Sequence, residues 1–310
     1  MGYCFGVDIG GTTVKLGLFD TQGELLEKWE IPTRTENNGE AIIPDIAETI
    51  KAKISEKSID IKDVTGVGMG APGPINKDGV VHRAANLGWG IINIAKQLSD
   101  LLNVPVEAGN DANVAALGEM WKGGGKGYKD MVLITLGTGV GGGIITDGKI
   151  LTGSMGAGGE IGHIHVEDDE DDTCGCGNKG CLEQYASATG IVRLAKRKLA
   201  STGEDSMLRN GEVSAKSIFD AVKAGDRLAD EIAEEFGVYL GKGLAAIACV
   251  TNPEIFVIGG GVSKAGEILF KYIEEPYKKY VFHSNRDVKF ALATLGNDAG
   301  IYGAVKLVIR

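Results

Sequence analysis

The densest chemistry in the chain lies near its middle, where Cys174, Cys176 and Cys181 fall within one short stretch and His163 stands upstream of them. One imidazole and three thiolates match a closed Cys₃His zinc site, and the glycines between the thiols let the chain wrap tightly around an ion. A loop of reduced, unliganded thiols is the competing reading. Four protein ligands leave no open position for water, so the expected metal is structural. Glu160 and Glu183 bracket the module, so the zinc loop would set two carboxylates against a ligand. Its effect is expected on that ligand, with the glycine turns elsewhere largely spared. His165, two residues beyond His163, reads as a packed or exposed histidine, and Cys4 and Cys249 lie in apolar runs that read as core.

A second kind of chemistry sits in the glycine turns. Asp8-Ile9-Gly10-Gly11-Thr12-Thr13 sets a carboxylate at the end of an apolar run, followed by a glycine turn and two hydroxyls. Glycine permits positive φ and close backbone approach, and Thr adds donors, so Gly10, Gly11, Thr12 and Thr13 would cradle a phosphate. Asp8 would hold Mg²⁺ directly or through water, as phosphoryl transfer requires. A plain β-hairpin turn fits the same residues. Gly137-Thr138-Gly139 repeats the arrangement, and two such cradles are more specific than one. Gly259-Gly260-Gly261 ends another apolar run ahead of a helix expected from near Ser263. That position suits an anion or nucleotide, with close strand–helix packing as the alternative. Asn110-Asp111-Ala112-Asn113 falls between a strand and a helix, where Asn or Asp caps the helix. A carboxylate there is favoured in its ionised form, as a base that accepts a hydroxyl proton must be, so Asp111 reads as cap, base or both.

The elements that must position these groups follow from periodicity. Strands are expected over 3–9, 13–20 and 25–33, then a helix over 40–57 with Ile42, Ile43, Ile46, Ile50 and Ile54 on one face. A strand over 64–70, a helix over 91–102, a strand over 104–108 and a helix over 112–122 complete a mixed α/β half. Lys122–Gly127 reads as a flexible connector. The stretch from Ile134 then repeats the strand, Gly/Thr turn and second strand seen from Val7, which suggests a duplicated architecture with a cleft between the halves. Helices are expected over 184–200, 214–224, 226–250, 263–280 and 298–309, with strands over 254–260 and 289–295. The acidic run 167–172 reads as a solvated loop.

Composition bounds the function. The chain has 310 residues, 43% hydrophobic and 24% charged, enough for about two domains with sizeable cores. Glycine is the anomaly at 48 residues; without a triplet period and clustered after apolar runs, it points to tight backbone turns near ligands. A net charge of −10 argues against a nucleic-acid or membrane partner, while leaving phosphorylated ligands open to backbone N–H groups. No run is apolar enough for a membrane span, and the N-terminus carries neither a secretory nor a myristoylation pattern, so a cytoplasmic setting is expected.

Taken together, these residues resemble the ROK family of sugar kinases and repressors, its bacterial glucokinases in particular. The resemblance rests on Asp8-Ile-Gly-Gly-Thr, Gly70-Ala-Pro-Gly73, Asn110-Asp-Ala-Asn113, Leu136-Gly-Thr-Gly139, Glu160-Ile-Gly-His163, the cysteine motif through Glu183, and Gly259-Gly-Gly261. It implies an α/β actin-like ATPase (ribonuclease H-like) fold, duplicated, with two domains and a central cleft. The domains would be 1–122 plus 298–310, and 123–297. Asp111 would be the catalytic base; Asn110, Glu160, His163 and Glu183 would bind sugar hydroxyls, with Asn86 and Gly70 near the ring. His163, Cys174, Cys176 and Cys181 would hold structural Zn²⁺ and Asp8 would organise Mg²⁺. Gly10–Thr13, Gly137, Thr138, Gly139, Gly260 and Gly261 would line the ATP site. Thr13 stands where many members have Lys, with Lys15 following. The implied activity is transfer of the γ-phosphoryl group of ATP to the 6-hydroxyl of glucose by a homodimer or homotetramer. A kinase for mannose, fructose or an N-acylhexosamine is the close alternative. A sugar-responsive repressor would need a helix-turn-helix domain ahead of strand one, for which no room is expected.

Overall fold

The computed structural model describes residues 2–309. Strands β1 (Tyr3–Ile9), β2 (Thr13–Asp20) and β3 (Leu25–Pro32) form an antiparallel meander, and β4 (Val64–Ala71) and β5 (Val106–Asn110) extend it in parallel on the β1 side. The order is β3-β2-β1-β4-β5. Central β1 and β4 are almost wholly apolar and buried, whereas edge strand β3 alternates half-buried and exposed residues and ends on Pro32. Helix α1 (Ile42–Glu56) lays Ile42, Ile43, Ile46 and Ile50 into the core beneath this sheet. Helices α2 (Ile94–Leu102) and α3 (Asp111–Lys122) flank β5 in sequence.

The second sheet repeats the plan. Strands β6 (Met131–Leu136), β7 (Val140–Thr146), β8 (Lys149–Ile150), β9 (Ile255–Gly259) and β10 (Lys289–Leu292) run in the order β8-β7-β6-β9-β10, the same order as the first. The similarity between the stretches from Val7 and Ile134 therefore marks the head of each copy. Helices α4 (Ala188–Ser201), α5 (Ala215–Lys223), α6 (Arg227–Thr251), α7 (Ile268–Tyr280) and α8 (Ala299–Val308) complete the chain. Contacts divide it into two compact units. The first runs to Lys129 and takes in Gly143–Gly159 and the chain from Leu295 on; the second comprises Asp130–Gly142 and Glu160–Thr294. The division expected from sequence kept 143–159 with the second half. Among the described residues, no helix is long and apolar enough to cross a membrane.

Several expectations need correction. The 184–200 helix is interrupted at Ser187, whose extended backbone and side chain cap α4, leaving Glu183–Ala186 as a separate turn. The 263–280 helix is split by Gly266, at φ 87°, into the 3₁₀ turn Val262–Ala265 and α7. Lys122–Gly127 is no loose connector: the buried Glu119 carboxylate accepts the Gly124 N–H at 2.8 Å and the Leu295 N–H at 2.9 Å. In the acidic run Glu170 is buried between Arg193 (2.6 Å), Arg197 (3.1 Å) and the Tyr185 hydroxyl. Burial pushes that carboxyl up, but Arg193, Tyr185 and Arg197 outweigh it and hold it far below the usual range. Cys249 is exposed, because the last turn of α6 carries it and Val250 on the outer face.

Part of the glycine excess is explained by α8. This helix lies on the first unit so closely that a Cβ on Gly68 would sit 1.7 Å from the Ala304 carbonyl, and one on Gly6 2.2 Å from that of Ile301. A Cβ on Gly303 would meet the Val114 carbonyl of α3 at 1.7 Å. Such contacts cannot be relieved by a side-chain rotation, only by moving backbone. Gly68→Ala is thus expected to lower stability by at least ~3 kcal/mol. Gly90→Ala, with no atom near its Cβ, should stay within about 0.5 kcal/mol. Urea unfolding of the two variants checks the contrast.

Candidate active site

In the first unit the ends of three parallel strands carry the expected groups. Register pairs Asp8 of β1 with Gly70 of β4, and Ala71 of β4 with Asn110 of β5. Gly70 therefore lies between Asp8 and Asp111, and a Cβ on it would touch Val114 at 3.4 Å and the Asp111 Cα at 3.7 Å. Asp8 lies against α8, where Gly300 makes room for its carboxyl. Burial raises the Asp8 pKa to about 6; Lys15, opposite it on β2, lowers it and the nearby Asp111 charge raises it. Lys15 itself reaches the Asn297 carbonyl at 3.3 Å.

Capping and the candidate base role are divided between neighbours. Asn110 is the cap of α3: its Oδ1 accepts the Ala112 and Asn113 N–H groups, and its Nδ2 donates to the Gly73 carbonyl at 3.1 Å. An amide so engaged keeps one N–H for a ligand. Asp111 is the first helical residue, and its Oδ1 accepts the Ala112 N–H at 2.8 Å. A boundary one residue off is the usual error of sequence reading, and here it decides which side chain is committed to the helix.

The Gly10–Thr13 turn closes the β1–β2 hairpin, Gly10 N–H donating to the Thr13 carbonyl at 3.0 Å and the Thr33 hydroxyl to the Gly10 carbonyl at 2.7 Å. Neither Gly10 nor Gly11, nor Gly137 or Gly139, has positive φ. Close approach accounts for Gly10, where a Cβ would stand 2.9 Å from the Thr13 carbonyl; Gly11 opens toward Asn86, whose Nδ2 is 3.7 Å from the Cβ position, and a Cβ on Gly137 would meet nothing nearer than 3.9 Å. Thr12 and Gly11 are exposed.

In the second unit, Gly137–Gly139 follows β6 and Gly260–Gly261 follows β9, its parallel neighbour. The second turn packs on the last residue of β6. Gly260, at φ 84°, would drive a Cβ within 2.5 Å of the Leu136 carbonyl. Beside Gly261 opens a cleft of about 170 Å³ whose lining includes Lys216, Phe219, Lys223 and Lys264. Sequence reading missed these residues, because α5 looks like any amphipathic helix until the turn it faces is known.

His163, Cys174, Cys176 and Cys181 come together, their ligand atoms all within 4.8 Å of one another. The Cys174 Sγ–His163 Nδ1 and Cys176 Sγ–Cys181 Sγ separations are 3.7 and 3.6 Å. A zinc tetrahedron with bonds of about 2.0–2.3 Å has edges of roughly 3.5–3.8 Å, so the four residues fit the ion. Burial pushes the Cys174 and Cys181 thiols up, Cys181 to about 12, while the Asn178 N–H lowers Cys176. Thiols so placed lose their protons readily only to a cation. Glu183 is half-buried, with Oε1 3.7 Å from the Cys174 sulfur and Oε2 accepting the Val140 N–H at 3.0 Å. Glu160 is exposed just ahead of the 3₁₀ turn Ile161–His163. His165 is exposed and holds Asp168. The glycine turn is not distant from this module, as sequence had suggested: a Cβ on Gly139 would overlap the Glu183 carboxylate.

Two five-stranded α/β sheets built on one strand order, with glycine turns at the strand ends, define an actin-like ATPase fold. The chain belongs to the ROK family, whose description matches residues 4–310. It is 45% identical to a glucokinase of Halalkalibacterium halodurans, over 98% of this chain and 94% of that protein. It is 39% identical to one of Thermotoga maritima, over 98% and 96%. The structure of a ROK family glucokinase from Streptomyces griseus, in complex with glucose and AMPPNP, is similar at a TM-score of 0.75 and 35% identity, covering 99% of both chains.

The Asp8 geometry yields a stability test. Its folded pKa lies above the ordinary value of 3.8, so the stability it lends is present at low pH and lost as pH rises through about 6. Asp8→Asn removes a charge that burial disfavours. The variant should gain about 1–3 kcal/mol over wild type at pH 8, shrinking toward pH 4. Urea unfolding at both pH values checks this; a pH-independent difference contradicts it.

Proposed function

We propose that this chain is an ATP-dependent sugar kinase that converts glucose to glucose 6-phosphate, working in the cytoplasm as a homodimer or homotetramer. The observation that carries the reading is the pair Asp8 and Asp111 flanking side-chain-free Gly70 at the ends of β1, β4 and β5, in a chain of this family. Asp111 accepts the proton of the 6-hydroxyl as that oxygen attacks the γ-phosphorus; the bond to the bridging oxygen breaks and ADP leaves. Its place at the start of α3 favours the ionised carboxylate. Mg²⁺ held by Asp8, directly or through water, supplies charge neutralisation to the phosphates when bound.

Sugar hydroxyls are assigned to Glu160, Glu183, His163 and the remaining Asn110 N–H, with Gly70 and Asn86 beside the ring. His163 serves two partners without conflict: Nδ1 faces the thiols, leaving Nε2 for the sugar. Zinc held by His163, Cys174, Cys176 and Cys181 contributes folding energy, since the closed ligand set keeps no site for water. The turns Gly10–Thr13, Gly137–Gly139 and Gly260–Gly261 offer backbone N–H groups to ATP phosphates. The cleft beside Gly261, with Phe219 and three lysines, takes the adenine end.

Asp111→Asn tests the assignment. Asn110 keeps the helix cap, and the amide oxygen of the substituted side chain still meets the Ala112 N–H. The variant should therefore fold and bind glucose while kcat falls roughly 10²–10⁴-fold. A kcat near wild type would remove Asp111 from the mechanism. The same assay run on wild type with glucose, mannose, fructose and N-acetylmannosamine, each with ATP and with polyphosphate, should give glucose and ATP the highest kcat/KM.

A further inference from the structure

The geometry points to a second task for the segment that follows the last zinc ligand: it turns the N–H groups of Thr138 and Gly139 toward nucleotide phosphate, with Thr189 as the positioning residue. The inference rests on the reading of Gly137–Gly139 as a nucleotide turn, and goes beyond it by assigning what orients that turn.

Three consecutive parts of the turn are held from residues 183–189. The Ala188 N–H donates to the Gly137 carbonyl at 2.8 Å, the Thr189 hydroxyl to the Thr138 carbonyl at 2.7 Å, and the Val140 N–H to Glu183 Oε2 at 3.0 Å. In a planar trans peptide the N–H points opposite to the C=O. Drawing the carbonyls of Gly137 and Thr138 toward the start of α4 therefore turns the N–H groups of Thr138 and Gly139 to the other side. Successive N–H groups facing one way make an anion-binding concavity.

The hydroxyl network leaves Thr189 a single arrangement. A carbonyl cannot donate, so the one Thr189 proton goes to Thr138. Ser187 must then donate to Thr189 Oγ1 at 2.9 Å, while its own oxygen accepts the Gly190 N–H at 2.9 Å. Ser187, which is fully buried, caps α4; Thr189, which is exposed, does not. The Thr189 proton is thus spent on the turn, while its oxygen takes the proton of the capping Ser187.

The far end of the segment is tied to the cysteine loop. The Cys181 N–H donates to Gln184 Oε1 at 3.1 Å, and Gln184 Nε2 donates to the Asp172 carbonyl at 2.9 Å. Arg193 and Arg197 of α4 clamp buried Glu170 of the same loop. Loosening the cysteine loop therefore loosens the nucleotide turn as well as the sugar contacts.

Calorimetric binding of Mg·AMPPNP, without sugar, tests this. Thr189→Val, isosteric but without the hydroxyl, should weaken binding roughly 3–10-fold, the worth of one hydrogen bond, and lower the thermal midpoint by only a few °C through the lost acceptor of Ser187. Thr189→Ser should restore binding to within about twofold. In the kinase assay the Val variant should raise KM for ATP by the same factor and leave KM for glucose unchanged. Wild-type protein should carry about one zinc, and chelator-treated protein should bind AMPPNP at least as weakly as the Val variant. Wild-type affinity in Thr189→Val, equal damage in Thr189→Ser, or full affinity in the metal-free protein overturns the inference. Wild-type protein that binds AMPPNP but leaves glucose unphosphorylated would instead overturn the glucokinase reading alone.

Discussion

Parallel strands that end level with one another are the constraint from which the first unit's chemistry follows. The register Asp8↔Gly70 and Ala71↔Asn110 brings two carboxylates, far apart in sequence, to the same end of the sheet with only a glycine between them. Neither residue can be displaced without shifting a buried strand, and a one-residue slip would turn Asp8 to the opposite face. The pair is held from below by α8, whose glycine contacts with β1, β4 and α3 admit no added methyl group. That proximity has an electrostatic consequence: Asp8 carries a pKa near 6 because burial and the Asp111 charge oppose its ionisation more than Lys15 favours it. A site that disfavours its own negative charge is prepared for a cation.

The second sheet uses the same plan for a different purpose. There the strand ends carry turns rather than carboxylates, and the turns are held from outside. Leu136 is pressed against Gly260, and Gly139 against Glu183, so each turn has one face closed by backbone or carboxylate and the other available. The cysteine loop that supplies Glu183 is tied back to α4 by the buried Glu170–Arg193 pair, in which burial of the carboxylate is offset by two guanidinium groups and a phenol. Removing its partners would leave a buried charge uncompensated, which ties the loop to α4.

Local motifs were legible in the sequence, and roles that depend on distant partners were not. The Cys₃His cluster, the strand-turn-strand heads of both sheets and the helix start at Asn110–Asp111 are readable because each lies within one short stretch of about twenty residues or fewer. Glu119 could not be read, since its partner Leu295 lies 176 residues away. Glu170 looked like one acid among six, and only α4 makes it a buried anchor. Cys249 sat in an apolar run, but helical periodicity sends one side of that run to solvent. The glycines of the phosphate-type turns proved unlike one another: Gly260 needs its positive φ, Gly10 and Gly139 are tightly packed without it, and Gly11 and Gly137 are neither. Thr189 carried no signal, because a threonine in a first helical turn is ordinary until the carbonyl it reaches is known.

The central claim is that this architecture moves a phosphoryl group from ATP to the primary hydroxyl of glucose and not to water. Phosphorus NMR of a mixture of the purified protein, Mg·ATP and glucose tests it in one spectrum series. The account predicts that the γ-phosphate resonance is replaced one for one by that of a sugar 6-phosphate, with ADP as the other product and little inorganic phosphate. Conversion of ATP to ADP and inorganic phosphate, with glucose left unmodified, would contradict it.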